Sequence, residues 1–248
     1  MSAPLLKVSG LKKSYGAIVA VAGVSFEVMP GEIFGVIGPN GSGKTTMFNS
    51  VLGQITPDAG RIELDGHDIT GLSPVALNRK GVGRTFQTLQ VFGQMSVRDN
   101  LIVAAQEHQG TLWSRLFAPG DSGLGEKADA LIRQFRLGHV AQQKAGELSY
   151  GQQKLVDIAM AFMSDPALVL LDEPCAGVNP SLVGGIRTLL KELNEARRGS
   201  FVVIEHNMDF VMELCHRILV MVEGTVLALG TPQEIRANKQ VLDAYLGN

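Results

Sequence analysis

A glycine-rich segment in the first fifth of the chain has the residue types that bind phosphate. Residues 38–45 read Gly-Pro-Asn-Gly-Ser-Gly-Lys-Thr and fit the pattern G-x-x-x-x-G-K-[ST]. Glycines let the backbone curl so that successive N–H groups face phosphate oxygens. Lys44 supplies a full positive charge to the β- and γ-phosphates, and the Thr45 hydroxyl is a ligand for Mg²⁺. The residues predicted to contact the nucleotide are Gly38, Pro39, Asn40, Gly41, Ser42, Gly43, Lys44, Thr45 and Thr46.

Two adjacent carboxylates follow an apolar run later in the chain. Leu168–Leu171 is followed directly by Asp172 and Glu173. A core strand does not normally end in adjacent acids unless a positive group faces them. We predict that Asp172 holds Mg²⁺ through its water shell and that Glu173 orients and polarises the attacking water. The alternative, two solvated acids at a strand end, is weakened by the phosphate-binding pattern in the same chain.

Strands and helices alternate around these motifs and must position them. Ile33–Ile37 predicts a uniformly apolar strand before the glycine-rich loop, and a helix is predicted from Lys44 to about Leu52. Val24, Phe26 and Val28 alternate with polar residues, as in a half-buried strand. Other predicted elements are strands at Arg61–Leu64, Leu168–Leu171 and Phe201–Glu205, a helix at Ser181–Ala196 and a hairpin at Glu223-Gly224.

The middle of the chain has a different character, with helical patches from about Thr88 to Asp165. Ser96 followed by Asp99 is a helix-start signal ahead of a predicted helix at Asn100–Gln106. The interval Glu107–Gly125 is rich in glycine and is predicted to be an irregular or mobile insertion. Alternating strands and helices around a helical interruption predict an α/β core with a helical subdomain.

Composition excludes several classes of protein. Hydrophobic residues make up 45% of the chain, which rules out global disorder. The formal net charge of −2 argues against a nucleic-acid partner held by broad positive charge. Two cysteines exclude a disulfide framework. No apolar run approaches the ~18 to 20 residues that cross a bilayer, and the N-terminus lacks the pattern of a secretory signal. We therefore expect a soluble chain whose membrane role depends on a partner.

The remaining motifs resemble one family. Leu148-Ser149-Tyr150-Gly151-Gln152-Gln153 is similar to the LSGGQ signature of ATP-binding cassette (ABC) ATPases, with Tyr150 replacing a glycine. Thr85-Phe86-Gln87 resembles the Q-loop of the family, and Ile204-Glu205-His206 resembles its switch histidine. Tyr15 followed by Gly16 resembles the aromatic A-loop. The order and spacing of these motifs match the family over essentially the whole chain.

The resemblance implies roles for these residues. Tyr15 would stack on the adenine of ATP, Gln87 would reach both Mg²⁺ and the hydrolytic water, and His206 would contact the γ-phosphate. The signature would contact ATP bound by the opposite subunit of a head-to-tail dimer through Ser149, Tyr150, Gly151 and Gln152. Asn179 stands in the D-loop where many members of the family have aspartate, so a D-loop role that needs a carboxylate is in doubt. The asparagine can still hydrogen-bond across an interface.

The resemblance also implies the fold and its division. It predicts a P-loop NTPase core of the ABC type, with a mixed sheet, flanking helices and an antiparallel β subdomain, plus an inserted α-helical subdomain. Residues 1–248 would form one ABC domain. The α/β core with its β subdomain would comprise residues 1–87 and 166–248, and the helical subdomain with the signature would comprise residues 88–165.

Several stretches resemble the ATP-binding subunits of branched-chain amino-acid importers, among them Gly177-Val178-Asn179-Pro180 and the ending Ala244-Tyr245-Leu246-Gly247. The implied partners are a second ATPase subunit (an identical copy or a paralogue), two membrane permeases and, indirectly, an external solute-binding protein. The chain would be cytoplasmic and peripheral on the inner face of the membrane. Alternatives are importers of urea or amides, exporters of lipid or lipopolysaccharide, and soluble ABC ATPases of translation or DNA repair. A regulator that binds ATP without turnover is disfavoured by Glu173 and His206.

Overall fold

A computed structural model describes residues 3–85, 89–105, 122–197 and 199–246. The strands in these ranges are β1 (Leu6–Tyr15), β2 (Ile18–Val28), β3 (Ile33–Ile37), β4 (Ala59–Leu64), β5 (His67–Asp68), β6 (Val82–Arg84), β7 (Leu168–Asp172), β8 (Ser200–Ile204), β9 (Arg217–Val222) and β10 (Thr225–Gly230). The helices are α1 (Lys44–Val51), α2 (Pro74–Arg79), α3 (Val97–Ala105), α4 (Ser122–Gln134), α5 (Tyr150–Ala161), α6 (Pro180–Arg197), α7 (Met208–Leu214), α8 (Pro232–Ala237) and α9 (Lys239–Leu246). Short 3₁₀ turns occupy Gly138–Val140 and Ala145–Glu147.

The larger sheet has the strand order β10-β9-β3-β8-β7-β6. Its neighbours pair in parallel from β9 to β6, and β10 is antiparallel to β9. Every residue of β3 and β8 is buried, as expected for strands covered on both faces. Because parallel strands end at the same edge of a sheet, this edge gathers the segments that follow β3, β6, β7 and β8. All four of these segments carry predicted site residues.

The smaller sheet is antiparallel, with the order β2-β1-β4-β5, in agreement with the expected β subdomain. Strand β1 has no counterpart among the strands predicted from the sequence. Leu6 and Val8 are buried and alternate with their neighbours, but the register with β2 shifts between Val8 and the next buried residue, Leu11. A bulge of this kind breaks the period of two on which strand prediction depends.

Two apolar clusters hold these layers together. One fills the space between the sheets and includes Phe26 of β2 and Phe34 of β3, whose rings stack with their centroids 5.3 Å apart. It also takes in Met47 and Phe48 of α1, so the helix that starts at the glycine-rich loop is anchored in the core. The other cluster joins the opposite face of the larger sheet to the helical segment and to the helices after β7. The predicted α/β fold is confirmed.

The helical segment lies between β6 and β7 in the chain and contains α3, α4 and α5. Helix α3 begins at Val97, three residues before the predicted start, because Ser96 Oγ accepts a hydrogen bond from Asp99 N at 3.0 Å. Its predicted end at Gln106, and residues 107–121 of the predicted irregular insertion, lie outside the described residues.

The last residues of the predicted irregular interval are helical, which corrects that prediction. Residues 122–125 form the first turn of α4. This helix buries Ala128, Leu131 and Ile132 in the apolar cluster, and such tertiary packing outweighs the poor helix propensity of two glycines. At Gly125 a Cβ would lie 2.7 Å from the Arg98 guanidinium, so the absence of a side chain leaves room for the ion pair of Arg98 with Asp129. Within the described ranges, the helices are too short or too polar to traverse a lipid bilayer.

Candidate functional site

The loop between β3 and α1, here called the phosphate loop (residues 38–43), has a backbone that needs glycine. Gly38, Gly41 and Gly43 have positive φ values of 152°, 78° and 93°. A Cβ on Gly38 would lie 2.2 Å from the Met221 carbonyl oxygen, and one on Gly43 would lie 2.1 Å from the Ala20 carbonyl oxygen. The loop therefore packs closely against β9 and β2. Glycine is required at these positions because a side chain would clash with the neighbouring strands and because the backbone has positive φ values.

Lys44, the first residue of α1, turns its side chain back onto this loop. Its Nζ donates hydrogen bonds to the carbonyl oxygens of Gly38 at 2.8 Å and Pro39 at 2.9 Å, and the residue is only 5% exposed. Burial lowers the pKa of the Lys44 ammonium, while the nearby charge of Glu173 raises it. An anion bound at the loop would therefore stabilise the charged form of this buried ammonium group.

Ser42 gives an independent indication that the loop is built for a ligand. The residue is 2% exposed, and its Oγ has no hydrogen-bond partner among the residues that the structure describes. A buried hydroxyl left without a partner costs about 1–3 kcal/mol. A phosphate oxygen in the loop would satisfy this hydroxyl and the charge of Lys44 together.

Asp172 and Glu173 lie at the end of β7, at the same edge of the sheet. Burial raises the pKa of the Asp172 carboxyl, Glu173 raises it further, and Lys154 opposes both. The Asp172 backbone N donates to Thr85 Oγ1 at 3.2 Å, which joins the ends of β7 and β6. A partly buried carboxylate with another acid beside it is suited to a divalent cation, because the cation would offset both charges.

Glu173 has an unusual backbone conformation directly after β7. Its φ is 47°, in the left-handed region that costs a residue such as glutamate about 1–2 kcal/mol, and its N–H donates a hydrogen bond to Ile204 O at 2.9 Å. Its Oε1 lies 2.8 Å from His206 Nε2. The sequence indicated these two side chains separately, and the structure brings them into direct contact.

Glu205 was not predicted as a site residue, yet it organises this edge. It is 4% exposed, and its Oε1 accepts a hydrogen bond from Cys175 N at 2.7 Å. Its Oε2 accepts from the backbone N–H groups of His206 at 3.0 Å and Asn207 at 3.3 Å. One buried carboxylate thus ties the segment after Glu173 to the segment that carries His206. The signal was present in the sequence, because Glu205 follows an apolar strand just as Asp172 does.

Replacing Glu205 with glutamine is expected to lower the free energy of unfolding by about 1–3 kcal/mol, because the amide NH₂ would face backbone donors. Urea unfolding followed by circular dichroism would measure the change. The control is Glu213→Gln, which removes an ion pair between Arg187 and a half-exposed carboxylate and should cost no more than about 1 kcal/mol. Equal losses in the two variants would contradict the role assigned to Glu205.

The predicted signature residues lie at the start of α5 and form a capping box. Ser149 Oγ accepts from Gln152 N at 3.4 Å, and Gln152 Oε1 accepts from Ser149 N at 3.1 Å and from Ser149 Oγ at 2.9 Å. The Ser149 hydroxyl, which the family resemblance assigns to ATP bound by an opposite subunit, is therefore engaged within its own helix in this single chain. Gln152 Nε2 also lies 3.4 Å from His139 Nε2.

The signature packs against the predicted D-loop of the same chain. A Cβ on Gly177 would lie 2.9 Å from Tyr150 Cε1, so the half-exposed Tyr150 ring rests on that glycine. Gly151 is buried, and a Cβ there would lie 2.6 Å from Leu182 Cδ1. Asn179 Oδ1 accepts from Ser181 N at 3.0 Å, so its side chain caps α6.

The two remaining predicted residues differ in what the structure describes. Tyr15 ends β1 in a hairpin with β2, its ring is half-exposed, and Lys13 Nζ lies 5.8 Å from the ring centroid. Because Ala20 of β2 touches Gly43, this hairpin borders the phosphate loop. Gln87 lies outside the described residues, and its role stays a prediction.

The chain matches the sequence profile of the family described as ABC transporter over residues 21–176. A second profile, described as branched-chain amino acid ATP-binding cassette transporter, matches residues 225–248. The chain is 39% identical to the high-affinity branched-chain amino acid transport ATP-binding protein BraF of Pseudomonas aeruginosa, covering 100% of this chain and 99% of the relative. It has the same identity and coverage with LivG of Escherichia coli, which bears the same description.

Solved structures agree in fold. An ATP-binding cassette of an ABC transporter in its ADP conformation superimposes with a TM-score of 0.89 at 34% identity, covering 100% of both chains. A dimeric cassette in a post-hydrolysis state bound to ADP and Pi gives a TM-score of 0.78 at 25% identity, covering 92% of this chain and 98% of that one. With the phosphate loop, the paired acids and full-length relatives all in agreement, the chain belongs to the ABC transporter family as an ATP-binding cassette ATPase.

Proposed function

We propose that this chain is the ATP-hydrolysing subunit of an importer of branched-chain amino acids. The observation that carries the proposal is the convergence of three groups at one edge of the sheet. Glu173 contacts His206 at 2.8 Å and acts electrostatically on Lys44, which is bound to the phosphate loop. A base for water, a histidine beside it and a cation for phosphate thus lie together, as hydrolysis of a γ-phosphate requires.

Each residue has a role in this proposal. The phosphate loop, Lys44 and Thr46 hold the phosphates, and the ring of Tyr15 stacks on the adenine. Mg²⁺ would be held by Thr45, Asp172 and Gln87, and when bound it would neutralise charge on the phosphates. Glu173 accepts a proton from water and orients it, while His206 contacts the γ-phosphate. The partly buried Asp172 supports the presence of Mg²⁺. Ser42 Oγ, which has no hydrogen-bond partner among the residues that the structure describes, supports the presence of phosphate.

The second step of the proposal is a head-to-tail pair of cassettes. The signature residues Ser149, Tyr150, Gly151 and Gln152 and the D-loop residue Asn179 would face ATP held by the partner, which we propose is a paralogue. Ser149 and Asn179 lie at the starts of α5 and α6, where helix dipoles favour a negative group. Pairing is supported by likeness to the dimeric cassette bound to ADP and Pi.

A groove beside the helical segment is suited to a permease. It has a volume of about 350 Å³ and lies between α2, β6 and α5. Its lining includes apolar side chains from all three elements, among them Val75, Leu77, Val82 and Met160. The buried residue Thr85 follows β6 directly and comes two residues before Gln87 in the sequence, and its Oγ1 accepts a hydrogen bond from the Asp172 backbone N–H. Cytoplasmic helices of two permeases docked in such grooves would be linked to the nucleotide site through this strand.

The solute class is proposed from the full-length relatives and from the match at residues 225–248. The amino acid would never contact this chain, because an external solute-binding protein and the permeases would select it. In this arrangement the chain lies on the cytoplasmic side of the membrane and is attached through its permeases. We retain the proposed division into a core of residues 1–87 and 166–248 and a helical subdomain of residues 88–165.

Deleting the gene for this chain in its native host is expected to abolish most high-affinity uptake of radiolabelled leucine. The wild-type gene should restore uptake, whereas a Glu173→Gln gene expressed at the same level should not, because transport needs hydrolysis. Uptake of labelled urea in the same cells is the control. Normal leucine uptake with lost urea uptake would replace the proposed solute by the alternative and leave the ATPase role intact.

A further inference from the structure

The turn between β9 and β10 lies against the phosphate loop. Glu223 and Gly224 are its two central residues, and their φ values of 47° and 75° are positive, as in the tight turns that join antiparallel strands. Glu223 is exposed, whereas Gly224 is buried. The backbone N–H of Gly224 donates a hydrogen bond to the Ser42 carbonyl oxygen at 3.1 Å. None of the nucleotide-site roles assigned above uses this turn.

Gly224 also binds the hairpin of β1 and β2, here called the Tyr15 hairpin because Tyr15 ends its first strand. Within the described residues, β2 is an edge strand of the smaller sheet. The backbone N–H of Ala22 in this strand donates a hydrogen bond to the Gly224 carbonyl oxygen at 2.8 Å. One residue therefore holds the phosphate loop with its N–H and the Tyr15 hairpin with its carbonyl oxygen.

A side chain at position 224 would push the hairpin away from the turn. A Cβ there would lie 2.9 Å from the Ala20 carbonyl oxygen and 3.4 Å from Val21 Cα, and the three nearest atoms all belong to the backbone of β2. Backbone atoms cannot move aside by a change of rotamer, so β2 itself would have to shift. The hydrogen bond to Ser42 of the phosphate loop lies outside this clash.

The contact at Gly224 sets the spacing between the two surfaces proposed to bind ATP. The adenine and the phosphates of one nucleotide are joined covalently, so both bind well only if the stacking ring and the phosphate loop are held at a matching distance. Ala20 and Ala22, which meet the turn, are five and seven residues from Tyr15 along the same hairpin. A shift of β2 would therefore move the ring relative to the loop.

We propose that Gly224 is a positioning residue for nucleotide binding, which fixes the Tyr15 hairpin at the distance from the phosphate loop that ATP requires. It acts through Ala22 and Ser42 and does not itself touch the nucleotide. The inference rests on the proposed function, because it takes Tyr15 as the adenine contact and the phosphate loop as the phosphate site. Position 224 should therefore control binding of the adenosine part more than binding of the phosphates.

The test is Gly224→Ala, measured with two ligands that differ by the adenosine. Mg-ADP needs both surfaces, and its Kd should rise about three- to tenfold, as expected when a base loses part of its aromatic stacking. Mg-pyrophosphate needs only the phosphate loop, and its Kd should stay within about twofold, because the N–H groups that cradle phosphate are unchanged. Calorimetric titration of the full chain measures both. Equal rises in the two Kd values would overturn the inference, since the loop itself would then be disturbed.

Gly66→Ala is the matched control. Asp65 and Gly66 form the two-residue turn between β4 and β5 with φ values of 48° and 73°, so alanine meets the same backbone strain there. Among the described residues, no atom beyond the chain neighbours of Gly66 lies within 4 Å of a Cβ at that position. Both Kd values should therefore match the wild type. An equal loss of Mg-ADP affinity in this variant would overturn the inference, because strain in a turn would then explain the effect.

Ala22→Pro breaks the same contact from the other side and decides the question if Gly224→Ala does not fold. Proline removes the N–H that donates to the Gly224 carbonyl oxygen, and an edge strand tolerates proline. The same selective loss of Mg-ADP affinity is expected. Thermal unfolding identifies which variants are folded. An unchanged ratio of the two Kd values in a folded variant would overturn the inference.

Two further variants separate this inference from the proposed ATP site. Tyr15→Ala should weaken binding of Mg-ADP but not of Mg-pyrophosphate, and Lys44→Ala should weaken both. If they behave in this way while Gly224→Ala matches the wild type with both ligands, the inference about Gly224 fails alone. If Tyr15→Ala leaves the affinity for Mg-ADP unchanged, the proposed adenine contact fails, and the inference fails with it. If Lys44→Ala keeps both affinities, the proposed ATP site fails.

Discussion

Glu173→Gln is expected to lower ATP hydrolysis by at least about a hundredfold while ATP still binds. Removal of a general base costs about 10²–10⁴ in rate, because the amide does not accept the proton of the attacking water. Glutamine has nearly the same shape, and its amide oxygen can still accept from His206 Nε2, now 2.8 Å from Glu173 Oε1. The geometry of the site should therefore survive while its chemistry is lost. A coupled assay of phosphate release measures the rate.

The same variant should accumulate as an ATP-bound dimer, because hydrolysis is what would reopen the proposed pair of cassettes. Light scattering after size-exclusion chromatography would detect twice the monomer mass in Mg-ATP and the monomer mass in Mg-ADP. If this chain pairs only with a paralogue, the partner must be co-expressed with it. If hydrolysis is lost but no dimer forms, either with the chain alone or with the co-expressed partner, the result would contradict an ATP site shared between two cassettes. The role of Glu173 as a base would still stand.

Glu223→Gln is the matched control for this substitution. Glu223 also has a φ of 47° and lies in the exposed turn between β9 and β10, so the chemical change and the backbone conformation are the same. Its ATPase rate should remain within about twofold of the wild type. A hundredfold loss there would mean that the substitution acts through backbone strain. Unchanged hydrolysis in Glu173→Gln would remove Glu173 from the catalytic role.

The parts of the site that could be predicted from the sequence are those built from contiguous residues. The uniformly apolar β3, the glycines after it and Lys44 occupy one short stretch, and each has a local reason to be there. The capping box is also local, because Ser149 and Gln152 are three residues apart. The family resemblance assigns Ser149 and Gln152 only to ATP bound by an opposite subunit, although the same two side chains also satisfy each other within α5.

The parts that escaped prediction depend on contacts between distant segments. Glu205 accepts a hydrogen bond from the backbone N–H of Cys175, thirty residues away in the sequence. This pair has no local spacing that identifies it, because the sheet order and not the sequence order makes the two residues neighbours. The same holds for the contact between Glu173 and His206: β7 and β8 are adjacent in the sheet, which places the residues after their ends together.

Lys44→Ala is expected to weaken ATP binding by about ten- to a hundredfold. A hydrogen bond that involves a charged group contributes about 1.5–3 kcal/mol, and 1.36 kcal/mol corresponds to a factor of ten. The Lys44→Ala variant and its reference both carry Glu173→Gln, which prevents turnover. Calorimetric titration with Mg-ATP then measures the affinity of each protein directly. Lys191→Ala removes the same charge from an exposed position on α6 and should leave the affinity unchanged.

Stability separates loss of binding from loss of folding in the Lys44 variant. Burial lowers the pKa of Lys44, so the folded protein disfavours its charge, but removal of the side chain also breaks two hydrogen bonds to the loop carbonyls. The Tm of each variant without nucleotide is therefore the reference from which its rise with nucleotide is counted. Saturating Mg-ATP should raise Tm of the Glu173→Gln reference, because a ligand that binds the folded state stabilises it by RT ln(1 + [L]/Kd). In the Lys44 variant that rise should shrink or vanish at the same concentration. An undiminished rise would contradict the phosphate assignment, since the cation that the loop carbonyls hold beside Glu173 would then contribute nothing to binding.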